Sequence, residues 1–240
     1  MTTLFISDLH LDADRPDGVT RFLRFIESEA REASALYILG DLFEAWIGDD
    51  DTNPGNAPII AALAGLRQRN VPCYFMHGNR DFLIGRRFAT ATGCELLSEN
   101  EVLELEGDRV LLMHGDLLCT GDKPYMQLRA IVRDPAWQSE FLAKPTAERQ
   151  RVADELRAKS QAAISEKSEE IMDVNQTAVE AAMREHGVAT LLHGHTHRPA
   201  VHHFELDGNH ATRIVLGSWY DQGSVVRWNE EGFELVELDP

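Results

Sequence analysis

Short polar motifs directly follow five predicted β-strands of the 240-residue chain. Ligands of open α/β sheets bind at the carboxyl ends of strands, so we expect these side chains to meet at one edge of a sheet. Aspartate, histidine and asparagine without cysteine suit divalent ions such as manganese, iron or zinc. The motifs are Asp8-Leu9-His10, Gly40-Asp41, Gly78-Asn79, His114-Gly115-Asp116 and His193-Gly194-His195-Thr196-His197.

The number of candidate ligands predicts a pair of metal ions. Seven protein ligands are too many for one ion that keeps an open position, whereas one bridging carboxylate divides them into two sets of four. Two ions about 3.5–4 Å apart can clamp the attacking and leaving oxygens of a phosphoryl displacement and supply hydroxide near neutral pH. The neutral oxygen of Asn79 would add no negative charge where a phosphate approaches. The candidates are Asp8, His10, Asp41, Asn79, His114, His195 and His197.

Composition narrows the class of protein. A net charge of −17 argues against a nucleic-acid partner, because phosphate contacts need a basic face. Three cysteines without a C-x-x-C motif indicate a reduced, cytoplasmic chain. The first ten residues read as a strand followed by acids and predict no signal peptide, and no apolar run approaches the roughly 18 residues of a membrane span.

Hydrophobic periodicity predicts an α/β chain with a helical insertion. Strands are expected at 3–7, 36–39, 71–76, 102–105, 109–113 and 189–193, and helices at 19–31, 59–66 and 172–187. The segments at 102–105 and 109–113 read as a hairpin, and the last 40 residues read as β-ribbon. Between them, residues 123–167 have a helical pattern in which Pro124, Pro135 and Pro145 are expected to act as breaks.

The motifs D-x-H, G-D-x-x-E, G-N-R-D, H-G-D and G-H-T-H occur in this order between residue 4 and about residue 200. In this they resemble the calcineurin-like metallophosphoesterases. The resemblance implies a four-layer αββα sandwich, with a core of residues 1–120 and 170–240 and a helical lid of residues 121–169. It also implies two divalent ions, manganese foremost, that share Asp41 as a bridge. One ion would be held by Asp8, His10, Asp41 and His197, and the other by Asp41, Asn79, His114 and His195.

Arg80 stands where that superfamily usually has histidine. Because its pKa stays above about 12, arginine is a poor general acid, but it is a fixed charge and a bidentate phosphate clamp. This substitution resembles one branch of the superfamily, the UDP-2,3-diacylglucosamine pyrophosphohydrolases of lipid A biosynthesis. There, the resemblance implies, metal-activated water attacks the α-phosphorus and releases UMP. The other product, 2,3-diacylglucosamine 1-phosphate, leaves as a phosphate monoester that needs little protonation.

The same resemblance implies the roles of individual residues and a place in the cell. Catalytic roles fall to Asp41, Asn79, Arg80, His114 and His195. Glu44 and Asp81 are expected to orient the metal ligands. The chain is expected to attach peripherally to the cytoplasmic face of the inner membrane, with no obligate protein partner. Substrate contacts are expected from Asn79, Arg80, Asp122, Ser160, Ile164, Lys167 and His195; because relatives tend to have a polar residue at 164, a side-chain hydrogen bond from Ile164 is not implied.

The insertion has a charge opposite to that of the rest of the chain. Residues 123–167 contain nine basic and six acidic residues, a net charge of +3, which leaves −20 for the remainder. Apolar residues such as Trp137 and Phe141 lie between these charges. The insertion is therefore either an amphipathic helical pair packed on the core or a lid that holds acyl chains and meets phosphates and anionic headgroups.

Two other functions are consistent with the motifs. A phosphodiesterase or phosphatase of the same fold could act on nucleotides or phosphoproteins, but Arg80 and the apolar-basic insertion count against it. A non-enzymatic interaction module on the same scaffold would be expected to lack ligands, whereas all seven are present.

Overall fold

The computed structural model describes residues 2–166, 173–220 and 223–238, with the backbone alone for residues 159–166. Two β-sheets pack face to face. Their shared core joins Phe5, Tyr37 and Val226 of one sheet to Leu112 and Leu192 of the other, and all five are buried. Burial of these apolar faces against each other accounts for the two inner layers.

The first sheet has the strand order β11-β10-β1-β2-β3-β4. Strands β1 to β4 run parallel, whereas β10 pairs antiparallel with both β1 and β11. The carboxyl ends of β1, β2 and β3 therefore lie at one edge. The bounds are β1 Thr3–Ile6, β2 Ala35–Ile38, β3 Cys73–Phe75, β4 Glu95–Leu96, β10 Gly223–Asn229 and β11 Gly232–Leu238.

The second sheet has the order β5-β6-β7-β9-β8. Its three inner strands, β6, β7 and β9, run parallel, and antiparallel hairpins add β5 and β8 at the edges. The motifs that follow β6 and β7 therefore leave the sheet at the same end. The bounds are β5 Asn100–Leu105, β6 Asp108–Met113, β7 Thr190–His193, β8 Ala200–Leu206 and β9 Asn209–Val215.

Helices form the two outer layers. Helices α1 (Pro16–Ser28), α2 (Ala57–Gln68) and α3 (Arg86–Thr92) bury Phe22, Leu63 and Phe88 against the first sheet. Helix α7 (Gln176–His186) packs Val179 and Met183 onto the second sheet. The described residues thus form four layers, helix, sheet, sheet and helix.

The insertion consists of helices α4 (Lys123–Val132), α5 (Pro135–Leu142) and α6 (Thr146–Glu166). The predicted proline breaks fall at helix boundaries, with Pro145 directly before α6. Pro124 and Pro135 lie in the first turns of α4 and α5, where the missing N–H would have no partner anyway. The prolines therefore mark where these helices begin.

The predicted β-ribbon divides between the sheets. The hairpin β8–β9 extends the second sheet, whereas β10–β11 crosses to the first and pairs with β1. The short helix α3 and strand β4 were not predicted. Helix α7 begins at Gln176 rather than 172, because Asn175 caps it by accepting a hydrogen bond from Ala178 N at 3.2 Å. Among the described helices, none is both long and apolar enough to span a membrane.

Candidate metal centre

The loops after β1 and β7 bring the first group of candidate ligands together. His197 Nε2 lies 3.3 Å from Asp8 Oδ1 and 3.2 Å from His10 Nε2. The ligand atoms of these three residues all lie within 4.8 Å of one another, close enough for one ion to contact all of them. The loops place the side chains here because β1 and β7 end at the same edge of the two packed sheets.

The loops after β2, β3, β6 and β7 bring the second group together. Asp41 Oδ2 lies 3.8 Å from His114 Nε2 and also 3.8 Å from His10 Nε2, so its carboxylate stands between the two groups. Asn79 Oδ1 is 3.0 Å from His114 Nε2. The imidazole of His195 lies beside that of His114, with 5.1 Å between ring centroids. All seven predicted ligands are therefore neighbours.

Five of these residues have a left-handed backbone conformation that side chains other than glycine rarely adopt. Their φ angles lie between 48° and 69°. Such conformations are unfavourable by about 1–3 kcal/mol each and concentrate at functional sites. The fold tolerates them because they turn each side chain back over the strand end. They are Asp8, His10, Asp41, His195 and His197.

Close backbone approach between the loops requires glycine at two positions. A Cβ on Gly78 would lie 2.1 Å from Asp41 Oδ1, and a Cβ on Gly40 would lie 2.6 Å from His114 Nδ1. Neither contact is possible for real atoms. The glycines of G-D and G-N-R-D thus let the loops after β2 and β3 meet.

Hydrogen bonds fix the orientation of the candidate ligands. His114 Nδ1 donates to the Leu39 carbonyl at 2.8 Å, which leaves Nε2 free to face the centre. Backbone N–H groups donate to the other oxygen of two carboxylates, from Arg80 to Asp41 Oδ1 and from His195 to Asp8 Oδ2, both at 2.8 Å.

Asp81, expected to orient ligands, lies under the loop that carries Asp41. Its buried carboxylate accepts hydrogen bonds from the backbone N–H groups of Leu42 at 2.7 Å, Gly78 at 2.9 Å and Asp41 at 3.3 Å. Glu44 stands at the opposite side, where its Oε2 lies 3.3 Å from His10 Nδ1. Burial would raise the pKa of Glu44, but His10, Arg80 and Tyr220 lower it to about 2.

The donor set fits divalent cations. Asp8 and Asp41 are almost completely buried, and Asp8 Oδ1 has no hydrogen-bond partner among the described residues. A buried carboxylate is strongly unfavourable unless a cation or hydrogen bonds compensate its charge. Burial, followed by the charge of His114, lowers the pKa of His195 to about 4, which keeps this imidazole neutral as a metal ligand must be.

Two tyrosines complete the site, and sequence reasoning missed both. Tyr220 stacks on His10 with centroids 4.8 Å apart and donates a hydrogen bond to Glu44 at 3.0 Å. Tyr125 of α4 lies 5.8 Å from the His195 ring and donates to Asp116 at 2.7 Å. Tyr125 lies three residues after Asp122, a predicted substrate contact. This closeness in sequence could have suggested Tyr125 as a residue of the site.

A cavity of about 850 Å³ opens beside the centre, between the core and the insertion. Of the predicted substrate contacts with described side chains, Asn79 and Arg80 line it, whereas Asp122 and His195 do not. Their contacts with substrate stay predictions. Asp122 is buried, and its carboxylate accepts a hydrogen bond from Tyr125 N at 3.2 Å, so it caps α4. Ser160 and Ile164 lie on α6, but their side chains are outside the described residues, as is Lys167.

A family model for calcineurin-like phosphoesterases matches residues 1–199. The chain belongs to this family. The predicted fold class is therefore confirmed, and the clustered carboxylate and imidazole side chains agree with the divalent metal ions that calcineurin-like phosphoesterases use.

Curated relatives resemble this calcineurin-like phosphoesterase over nearly its whole length. It is 55% identical over 238 residues to a protein of Klebsiella pneumoniae named UDP-2,3-diacylglucosamine hydrolase, with 99% of each chain covered. A Serratia proteamaculans protein of the same name is 52% identical with the same coverage. These relatives confirm the predicted branch. A solved archaeal phosphodiesterase, 12% identical, superposes with a TM-score of 0.50 over 99% of this chain and all of that one, which supports the fold alone.

Proposed function

We propose that this protein hydrolyses the pyrophosphate bond of UDP-2,3-diacylglucosamine, giving UMP and 2,3-diacylglucosamine 1-phosphate. The observation that carries the proposal is the cavity of about 850 Å³, which joins the candidate metal centre to an apolar chamber under the insertion. A polar centre continuous with an apolar chamber suits a substrate that has both a pyrophosphate and acyl chains. The relatives that bear this activity in their names support it.

The seven clustered residues would hold two ions, with Asp41 shared between Asp8, His10 and His197 on one side and Asn79, His114 and His195 on the other. When bound, two divalent ions, manganese foremost, would supply a water-derived nucleophile near neutral pH and positive charge beside the phosphate oxygens. The hydrogen bonds to Asp41 Oδ1 and Asp8 Oδ2 hold the carboxylates in place during turnover. Asn79 binds without adding negative charge.

Arg80 would hold the pyrophosphate and neutralise the leaving phosphate. Its backbone is fixed on both sides, because its N–H donates to Asp41 at 2.8 Å and its carbonyl accepts from Trp46 N at 3.1 Å. The guanidinium lines the cavity, and its buried Nε has no hydrogen-bond partner among the described residues. A second cation, Arg157, lines the same cavity with its Nε 3.7 Å from Glu44. Both are available to phosphate oxygens.

Residues 121–169 act as a lid for the acyl chains, and residues 1–120 with 170–240 form the catalytic core. The cavity wall on the lid side is mostly apolar, with Arg129, Arg133 and Arg157 among its lining residues. The apolar part suits acyl chains, which gain about 0.8 kcal/mol per buried CH₂ group. The lid also exposes Ile131 and Leu142, at 55% and 39% of their accessible surface. The apolar residues of the lid that line the wall are Leu128, Val132, Trp137, Phe141 and Leu156.

The same surface supports peripheral attachment to the cytoplasmic face of the inner membrane, which is part of the proposal. Exposed apolar side chains beside lid cations are the features that bind anionic bilayers. Ile131→Glu should weaken co-sedimentation with anionic phospholipid vesicles at least several-fold. Equal co-sedimentation of wild type and Ile131→Glu would rule out this face as the attachment surface.

The substrate proposal is tested by comparing UDP-2,3-diacylglucosamine with the same UDP-sugar lacking both acyl chains. We expect much higher kcat/KM for the acylated compound, and Leu128→Gln should reduce that preference about tenfold or more by making the chamber polar. Val201→Gln is the control, because Val201 is an exposed apolar residue of β8 that lies outside the cavity and the lid. Equal hydrolysis of both compounds by the wild type would favour a general phosphodiesterase of the same family.

A further inference from the structure

A second cavity, of about 430 Å³, lies on the outer face of the second sheet. Ala200 and His202 of β8 line it, together with Val215 and Arg213 of β9. These residues are cross-strand partners, Ala200 with Val215 and His202 with Arg213, so they share one face of the sheet. The cavity therefore lies at the site end of that sheet, near Asp173, which precedes α7.

This second cavity adjoins the candidate metal centre through a single loop. Thr196 and Arg198 line it, and they alternate along the chain with the candidate ligands His195 and His197. On the other side of the loop, the Tyr125 ring of the first cavity lies 5.8 Å from that of His195. The loop that carries two candidate ligands thus lines the second cavity, and its His195 lies next to a tyrosine that lines the first.

The second cavity contains buried polar atoms without partners. Arg213 is 93% buried; its Nη1 lies 3.3 Å from His193 Nε2, but its Nε has no hydrogen-bond partner in the described part of the chain. Within the same described residues, no carboxylate forms an ion pair with this guanidinium. Thr196 Oγ1 is also buried and unpartnered. A buried donor left without an acceptor is unfavourable, so this wall is suited to a ligand that offers acceptors.

The rim of the second cavity adds an acceptor. Asp173 Oδ2 lies 3.3 Å from Arg198 Nη1, and both side chains are more than a third exposed, so solvent or a ligand can reach them. A carboxylate at the edge of a site commonly accepts hydrogen bonds from ribose hydroxyls. The walls thus combine donors inside with an acceptor outside.

We propose that this second cavity binds the uridine of the substrate, an inference that rests on the proposed function. The pyrophosphate of the substrate carries uridine at one end and diacylglucosamine at the other. The mostly apolar first cavity suits the diacylglucosamine end. The carbonyl oxygens of a pyrimidine base are acceptors for Arg213 and Thr196, and the ribose hydroxyls are donors for Asp173.

The test compares two substrates that differ only at the nucleoside end. One is UDP-2,3-diacylglucosamine, and the other has a methyl group in place of uridine on the α-phosphate. The ratio to measure is kcat/KM for the uridine substrate divided by kcat/KM for the methyl substrate. Because hydrogen bonds to a charged group are strong, Arg213→Gln should lower this ratio about 10- to 100-fold. Thr196→Val, which removes one hydroxyl at nearly constant volume, should lower it roughly fivefold.

Arg184→Gln is the matched control, because Arg184 is an exposed arginine of α7 that pairs with Asp207 at 2.9 Å, and it should leave the ratio unchanged. Manganese content is measured for each variant. Arg213→Gln should raise the inhibition constant of UMP and leave that of inorganic phosphate unchanged. Equal weakening of both would show a phosphate site without a nucleoside site and would overturn the proposal.

The outcomes also separate this proposal from the proposed function. If the wild type hydrolyses neither substrate, the proposed function fails. If it hydrolyses both substrates with equal kcat/KM, or if Thr196→Val and Arg213→Gln reduce both equally, the second cavity does not bind uridine, although the hydrolase activity stands. If Arg213→Gln does not fold, Thr196→Val alone decides, and an unchanged ratio for it refutes the proposal.

Discussion

Replacement of Arg80 separates charge neutralisation from proton donation. The guanidinium lines the first cavity, its backbone is held between Asp41 and Trp46, and its Nε is buried without a partner among the described residues. The fixed backbone limits where the guanidinium can lie and keeps it at the cavity wall. Removal of one donor that stabilises developing charge costs about 2–4 kcal/mol of transition-state stabilisation, so Arg80→Ala should lower kcat/KM roughly 30- to 1,000-fold.

The other substitutions at position 80 show whether positive charge, bidentate geometry or proton donation accounts for the activity of Arg80. Arg80→Lys should recover part of the lost activity, because the charge remains although the bidentate fork is lost. Arg80→His should recover little near pH 8 and more as the pH falls toward about 6.5, since an imidazole is charged only at the lower pH. The assay is kcat/KM for the three variants from pH 6 to pH 9, with bound metal counted in each.

Metal content provides the control for this series. Arg80 is not a candidate ligand, so all three variants should bind as much manganese as the wild type. Loss of an ion from Arg80→Ala, or hydrolysis of UDP-2,3-diacylglucosamine at the wild-type rate, would refute a leaving-group role.

Three further perturbations test the centre and the lid. Asp41→Ala should abolish turnover because one carboxylate serves both ions, and a chelated wild type should regain activity with manganese; full activity without metal would contradict the two-ion site. Glu44→Gln should raise the manganese concentration for half activity about 10- to 100-fold if Glu44 orients a ligand; an unchanged titration would exclude that role. Arg149, buried and donating to the Ile47 carbonyl at 2.6 Å, fixes α6 to the core, so Arg149→Gln should lower the free energy of unfolding by about 1–3 kcal/mol in urea titrations. The exposed Arg151→Gln is its control, and equal effects would refute the anchor.

The cluster of candidate ligands could be predicted because each of its motifs lies next to the strand that positions it. Each motif follows a short apolar strand, and parallel strands bring their carboxyl ends to one edge. The buried strand β6, for example, ends at Met113, directly before His114. Because residue type and strand position together specify the cluster, the seven candidate ligands could be assembled without knowing any distance.

The pairing of distant segments could not be predicted in the same way. Strands β9 and β10 both mix apolar and polar residues, and their sequence patterns do not show which sheet each one joins. Strand β10 joins the first sheet because it pairs with β1, where Val226 lies opposite Phe5, more than 200 residues earlier in the chain. Tyr220 could not be assigned for the same reason, because it reaches Glu44 across 176 positions.

Other misses were local and could have been avoided. The sequence Asp122-Lys123-Pro124 has an N-cap residue followed by proline in the first turn, which predicts the start of a helix. The prolines of the insertion thus predicted the helix boundaries, but not that Pro124 and Pro135 lie in the first turns of their helices. For Ser160, Ile164 and Lys167, the expected substrate contacts stay predictions.

The position of water attack tests the proposed hydrolysis most directly. The manganese-loaded protein is incubated with UDP-2,3-diacylglucosamine in oxygen-18 water, and both products are analysed by mass spectrometry. We expect one labelled oxygen in UMP and none in 2,3-diacylglucosamine 1-phosphate, because the nucleophile attacks the α-phosphorus. Label in the lipid product would mean attack at the β-phosphorus and would contradict the assigned roles of Arg80 and the two cavities.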